Sequence, residues 1–353
     1  MKSRMRAAVC MEGGAVLVES LPRPEPGPGE LLLRLRCAGL CGTDLFKLQH
    51  ATAPSGAVLG HEVVGTVSAI GPGTLGFDLG DRVAVPHHVA CGACDLCRRG
   101  SEPLCPAFRE NLLVPGGFSE WVLVRERAVR RAAFGIPAHV SDETAVFLEP
   151  AACVLRGVWR AWQARMAETS PSAAAIVGGG SMGLLHLLVL KAVFPSLRVA
   201  VSDLREDRLQ RALELGADAA VPPGYSREAV DALSNGLGAD VVFDTAGGPE
   251  ALEAALGAIR PGGTVVLFAH AGEGERAGFD LNAFFKTEGK LIATYSSSLA
   301  EQREIHRLMV TGRLDPSPLV THRLPLSRFD EAVGLARELQ AIKVLLVPDE
   351  EAS

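Results

Sequence analysis

The sequence predicts an α/β protein of two domains, one β-rich and one built on a doubly wound parallel sheet. Three observations lead there. The chain has 353 residues, more than one hydrophobic core usually serves. Its first third is written in short β-branched runs broken by glycine and proline, whereas its middle alternates strand-like and helix-like runs. A glycine-rich turn, Gly178-Gly179-Gly180-Ser181-Met182-Gly183, joins the first strand and first helix of that middle region.

In the β-rich part, Leu31 to Cys37, Val63 to Ile70, Arg82 to Val85 and Trp121 to Val124 have the length and composition of strands. The period then changes. Ser141 is placed to cap a long apolar helix through Leu155 and Trp159 to about Gln163, which reads as a domain connection. The middle region predicts strands at Ala173–Val177, Arg198–Ser202, Val241–Asp244, Thr264–Ala269 and Leu291–Tyr295. It predicts helices at Met182–Phe194, Arg205–Leu215 and Pro249–Ile259. Strand-helix alternation of this kind makes a parallel sheet covered on both faces. From Leu319 onward, proline-punctuated strands return around a helix near Phe329 to Leu339, and this tail is expected to rejoin the first domain. The expected boundaries are residues 1–151, 152–298 and 299–353.

Composition narrows the function classes. Lys plus Arg number 35 against 41 Asp plus Glu, a formal charge of -6, so the basic stripe that nucleic-acid binding needs is missing. No apolar run has the length of a signal segment or a membrane span, and the expected location is the cytoplasm. In that compartment eight cysteines point to metal ligation and burial rather than to disulfides.

Cys91, Cys94, Cys97 and Cys105 follow C-x2-C-x2-C-x7-C. Four thiolates so closely spaced can complete a tetrahedral zinc shell with no position left for substrate, which is a structural site. A second set mixes donor types: Cys41 and Thr43-Asp44 follow one apolar strand, and His61-Glu62 precede another. Zinc accepts thiolate and imidazole together, and a catalytic zinc keeps one position open. Glu149, at the start of the connecting helix, is the expected third ligand, with Glu62 as its rival. Asp44 is expected to accept the second ring N–H of His61, and Thr43 to relay the substrate proton. Cys153, four residues beyond Glu149, reads as a helix-packing residue.

The glycine turn satisfies G-x-G-x-x-G between a strand and a helix, where backbone approaches a pyrophosphate and the helix N-terminus faces it. Gly178, Gly180, Ser181, Met182 and Gly183 are therefore expected cofactor contacts. Asp203 lies twenty residues beyond Gly183, where a carboxylate accepts ribose hydroxyls and repels a 2'-phosphate, favouring NAD over NADP. Arg208, with Arg205, is a further candidate contact at that end, where a guanidinium accommodates a 2'-phosphate or stacks on adenine, the alternative being a solvated helix face alternating with Glu206 and Asp207. Thr245 and His270 close later strands on the ligand edge and are expected near ribose and nicotinamide.

Taken in order, Cys41-Gly-Thr-Asp, Gly60-His-Glu, the four-cysteine lobe, Glu149-Pro and the glycine loop resemble the zinc-containing medium-chain dehydrogenase/reductase family over nearly the whole chain. Glu149-Pro looks like its polyol, or sorbitol-type, branch. The resemblance implies a GroES-like catalytic domain split around a Rossmann domain, two zincs per chain, and homodimers or homotetramers formed through sheet edges. It implies reversible oxidation of a secondary alcohol or polyol, with zinc as Lewis acid and NAD(H) carrying the hydride. An amino-alcohol oxidation of the threonine type and a biosynthetic carbonyl reduction are alternatives. So is a non-catalytic, zinc-stabilised nucleotide-binding protein, against which the intact Cys41, His61 and Glu149 argue. Phe46 stands where members often carry a relay histidine, leaving Thr43, water or His50 for proton exit.

Overall fold

A computed structural model describes residues 3–162, 172–269, 271–272 and 274–349. His270 lies outside them, as does the expected end of the connecting helix at Gln163. The chain divides into two compact units, Met1–Ala152 with Ser297–Ser353, and Cys153–Ser296.

The first unit opens with a hairpin of β1 (Arg4–Cys10) and β2 (Val16–Pro22), paired antiparallel from Arg4 opposite Pro22 to Cys10 opposite Val16. Then follow β3 (Leu31–Gly39), α1 (Gly42–Gln49), β4 (Glu62–Ile70) and β5 (Arg82–Pro86). After these come α2 (Asp95–Arg98), β6 (Leu113–Val114), β7 (Trp121–Val124), α3 (Glu126–Ala132), β8 (Phe134–Gly135) and α4 (Asp142–Ala145). β3 is the centre. It pairs antiparallel with β4 and with β7, and Leu31, Leu33, Leu35 and Cys37 are buried while Arg34 and Arg36 face out. Each fully buried Leu contributes about 1.5–3 kcal/mol relative to exposure, so one face of this strand anchors the core.

α5 (Leu148–Trp162) follows, its approach fixed by a buried charge. Asp142 accepts from Arg36 Nε at 2.6 Å and from Arg82 Nη1 at 3.0 Å, and Ser141 caps α4 by accepting from the Thr144 amide.

In the second unit, β9 (Ala173–Val177), α6 (Ser181–Val193), β10 (Arg198–Ser202), α7 (Glu206–Glu214), β11 (Ala219–Val221) and α8 (Ser226–Ser234) form its first half. β12 (Ala239–Asp244), α9 (Pro249–Ala258), β13 (Ile259–Leu267), α10 (Leu281–Lys286) and β14 (Lys290–Ala293) form the second. The strands are all parallel, in the order β11-β10-β9-β12-β13-β14, which is the dinucleotide-binding order with its reversal at β9. β9 is buried along its whole length, as a strand covered on both faces must be. The sequence expectation did not include β11 or α8, because a three-residue strand and a polar helix after Pro222-Pro223-Gly224 show too little periodicity. β13 begins at Ile259, five residues before the expected Thr264, because Pro261-Gly262-Gly263 is carried as a register shift against β12.

The chain then returns through α11 (Leu299–Val310), β15 (Val320–Pro325), α12 (Phe329–Arg337) and β16 (Lys343–Val347). β16 pairs with β3 at Leu345 opposite Gly39, which brings Lys343 towards the start of β4. No described helix is long and apolar enough to cross a membrane.

Candidate active site and metal centres

Cys41 ends the segment after β3 and forms the N-cap of α1. One turn in, Asp44 is fully buried. Its Oδ2 accepts from the Cys41 amide at 3.1 Å, its Oδ1 from the Gly60 amide at 3.4 Å, and that oxygen also lies 3.4 Å from His61 Nδ1. Burial alone would raise the Asp44 carboxyl, but His61 and the two amides hold it below the usual carboxylate range. Burial likewise opposes a charged His61, yet Asp44 and Cys41 raise it well above the ordinary imidazole value. The carboxylate thus engages Nδ1 and leaves Nε2 as the ring's remaining donor atom, the arrangement that orients metal-binding histidines.

Glu62, the first residue of β4, completes the group. The donor atoms of Cys41, His61 and Glu62 all lie within 4.8 Å of one another. Glu62 is fully buried and forms an ion pair through Oε2 with Lys343 Nζ, itself buried on β16. Burial would lower the Lys343 ammonium, but Glu62 more than reverses this and raises it. Glu62 Oε1 has no hydrogen-bond partner among the described residues. A buried carboxylate oxygen left so is costly, and a divalent cation at the Cys-His-Glu apex removes that cost. The pair sits against Gly39: a Cβ there would lie 1.9 Å from Glu62 Oε2 and 2.9 Å from Lys343 Cε, so the ends of both side chains would have to move.

Of the two glutamates considered from the sequence, it is Glu62 that joins Cys41 and His61. Glu149 occupies the first turn of α5, half-buried, and is not in the group of three. Thr43 stands half-buried on the first turn of α1. Three residues that the sequence analysis did not single out flank the group. Lys343 is one, and nothing in Ala341-Ile342-Lys343 marks it. His87 and His88 are the others. The rings of His61 and His87 are 4.7 Å apart, and those of His87 and His88 3.5 Å. Burial, with His61 nearby, pushes His87 well below the imidazole range and His88 down to about 4. The tandem histidine directly before the cysteine lobe was a signal that could have found them.

In the lobe, Cys94 Sγ and Cys97 Sγ are 3.5 Å apart, and Cys91 Sγ and Cys97 Sγ 3.9 Å. A tetrahedron with ligand arms of about 2.3 Å has edges of about 3.8 Å, so the four thiols fit zinc, and all are free. The amides of Ala93 and Cys94 donate to Cys91 Sγ and lower its thiol to about 6. The lobe's buried apolar set is small, Ala90, Cys97, Cys105 and Phe108; Arg131 Nη1 donates to the Cys91 carbonyl at 2.9 Å, Arg127 Nη2 to the Ala107 carbonyl at 2.9 Å, and the Leu299 amide to Glu102 at 3.0 Å.

At the ligand edge of the parallel sheet the glycines have separable roles. A Cβ on Gly183 would lie 1.8 Å from the Gly178 carbonyl oxygen, so this glycine lets α6 pack on the turn. Gly180, the N-cap of α6, would meet nothing within 4 Å, which leaves open space at a helix N-terminus for a phosphate group. Ser181 and Met182 begin that helix, both half-buried. Asp203 Oδ2 accepts from the Gly179 amide at 2.6 Å and Oδ1 from the Arg205 amide at 2.8 Å, which fixes the carboxylate beside the glycine turn. Arg205 pairs with Asp207 at 2.9 Å, while Arg208 is buried against Gly179. Thr245 uses its hydroxyl to brace the turn, donating to the Val177 and Gly178 carbonyls at 2.9 and 3.0 Å.

Known proteins bear on this arrangement. A family model described as alcohol dehydrogenase GroES-like domain matches residues 27–133, and one described as zinc-binding dehydrogenase matches residues 182–311. The chain is 30% identical over 360 residues to a sorbitol dehydrogenase of Bacillus subtilis, covering 98% of each. It is 31% identical over 346 residues to an L-threonine 3-dehydrogenase of Pyrococcus horikoshii, covering 95% of each. Among solved structures, a zinc-binding dehydrogenase of Sinorhizobium meliloti in complex with NADP superposes with a TM-score of 0.85 at 28% identity, over 98% of this chain and 100% of that one.

Proposed function

The chain belongs to the zinc-containing medium-chain alcohol and polyol dehydrogenase family, and on that premise we propose that it oxidises a secondary alcohol or polyol reversibly, using NAD. The observation that carries this reading is the convergence of Cys41, His61 and Glu62 around one point, with an unpartnered Glu62 oxygen facing a thiol and an imidazole. When bound, zinc supplies Lewis acidity to the substrate oxygen and NAD accepts the hydride.

The chain's own residues do the rest. Asp44 holds the His61 ring in one orientation, and Lys343 balances the Glu62 charge so that the site does not accumulate unpaired negative charge. We assign Cys41, His61 and Glu62 as the donors, with Glu149 as the rival third. Thr43, on the first turn of α1, takes the alcohol proton outward. Cys91, Cys94, Cys97 and Cys105 hold the structural zinc. Gly178, Gly180 and the amides opening α6 take the pyrophosphate, and Asp203 takes the adenosine ribose hydroxyls.

The test is NAD-linked turnover of the zinc-loaded protein on a panel of 2-butanol, sorbitol and L-threonine, followed by NADH absorbance before and after chelation. Activity that chelator removes and zinc restores is expected. Turnover of no alcohol by protein carrying two zincs would instead favour the non-catalytic nucleotide-binding alternative.

Asp203 supplies a second expected result. Its carboxylate accepts ribose hydroxyls and repels a 2'-phosphate, and a charge-assisted hydrogen bond contributes about 1.5–3 kcal/mol. Asp203→Ala is expected to raise the NADP to NAD ratio of kcat/KM on the order of 100-fold. An unchanged ratio would remove Asp203 from cofactor selection.

A further inference from the structure

Lys47 is a charged residue near this centre that the chemistry above does not use. It lies on α1 four residues after Thr43, so the two side chains share one face of the helix. It is half-buried. No carboxylate lies within ion-pair distance of it among the described residues, whereas the other lysine of this centre, Lys343, is locked to Glu62. Its charge is close enough to act on both His87 and His88, the two rings that continue the row from His61, which sets it near the donor group. Beside them, His87 Nδ1 is buried with no hydrogen-bond partner among the described residues.

A half-buried ammonium without a counter-ion attracts an anion more strongly than one in open water does. Thr43 and Lys47 are separated by about 6 Å along the helix axis, from a rise of about 1.5 Å per residue. A hydroxyl handled at Thr43 and an anion held at Lys47 therefore belong to one small molecule, the anion two or three bonds from the carbinol carbon. We infer that Lys47 is a specificity residue that binds a carboxylate or phosphate carried by the substrate, making the preferred substrate an anionic secondary alcohol. This rests on the secondary-alcohol reading of the site and narrows it.

The experiment compares wild type, Lys47→Met and Lys47→Arg as zinc-loaded proteins, on 3-hydroxybutyrate and L-threonine (carboxylate), glycerol 3-phosphate (phosphate), and the neutral 2-butanol and sorbitol. A charge-assisted contact corresponds to about 10- to 100-fold. Lys47→Met is expected to lose that factor in kcat/KM, mainly through KM, on an anionic substrate, to stay within about twofold on 2-butanol, and to be largely rescued by arginine. Loss confined to the hydroxy acids identifies the anion as carboxylate; loss confined to glycerol 3-phosphate identifies it as phosphate. Inhibition by isobutyrate against isobutyramide gives a readout independent of turnover, and only the carboxylate should weaken in Lys47→Met. Should that variant not fold, Lys47→Gln replaces it. Neutral alcohols preferred by wild type and indifferent to Lys47 would overturn the inference while leaving the alcohol reading intact, and so would a raised KM for NAD with substrate preference unchanged. Turnover of no alcohol by wild type would remove both.

Discussion

Cys41→Ser is expected to take zinc content from two per chain to one and to lower kcat/KM by at least about a thousandfold. That figure corresponds to about 4 kcal/mol of transition-state stabilisation. The effect is large because Cys41 stands at one corner of a compact donor set and also caps α1, so nothing nearby replaces its thiolate. Elemental analysis together with NAD-linked rates checks it; a variant retaining two zincs would move the catalytic metal elsewhere. The two glutamates are separated by the same measurement. With Glu62 as the third donor, Glu149→Ala keeps two zincs and Glu62→Gln loses the catalytic one, and the reverse pattern gives the role to Glu149. Because Glu62→Gln also strands the buried Lys343 ammonium, a defect of about 3–5 kcal/mol, the double variant Glu62→Gln, Lys343→Met is the better reporter. It should recover stability without recovering metal.

The second large effect belongs to the cysteine lobe. Cys94→Ser is expected to release the structural zinc and lower the melting temperature by about 10 °C, taking about 3 kcal/mol of lost stabilisation at 2–4 °C per kcal/mol. The lobe buries few apolar side chains, so the metal replaces the hydrophobic core that such a loop lacks. A scanning-calorimetry trace of Cys94→Ser superimposable on wild type would show that Arg131 and the turn hydrogen bonds suffice. Zinc analysis of the same sample should retain the Cys41 site, since the two groups share no ligand.

Legibility differed by the kind of residue. Local spacing sufficed for the lobe, because four cysteines within fifteen positions meet whatever the rest of the chain does. The glycine turn was legible for the same reason, since Gly178, Gly180 and Gly183 act through their own backbone. Thr245 was expected at the ligand edge from its position at a strand end; the use of its hydroxyl to brace Val177 and Gly178 depends on the packing of β12 against β9. Lys343 was beyond reach altogether: it follows Glu62 by 281 positions, and only the pairing of β16 with β3 carries it to the site.

By itself the sequence determined the two-part α/β plan, the four-cysteine lobe, the glycine turn and the list of candidate donors, because each rests on a short-range pattern of residue types. The tertiary structure alone decided which donors meet. Glu62 joins Cys41 and His61 because β3 and β4 pair with Glu62 opposite Gly39, where the absent Cβ leaves room for the Glu62–Lys343 pair as it stands. Three-dimensional proximity between distant strands is a property of register and packing, which no local spacing encodes.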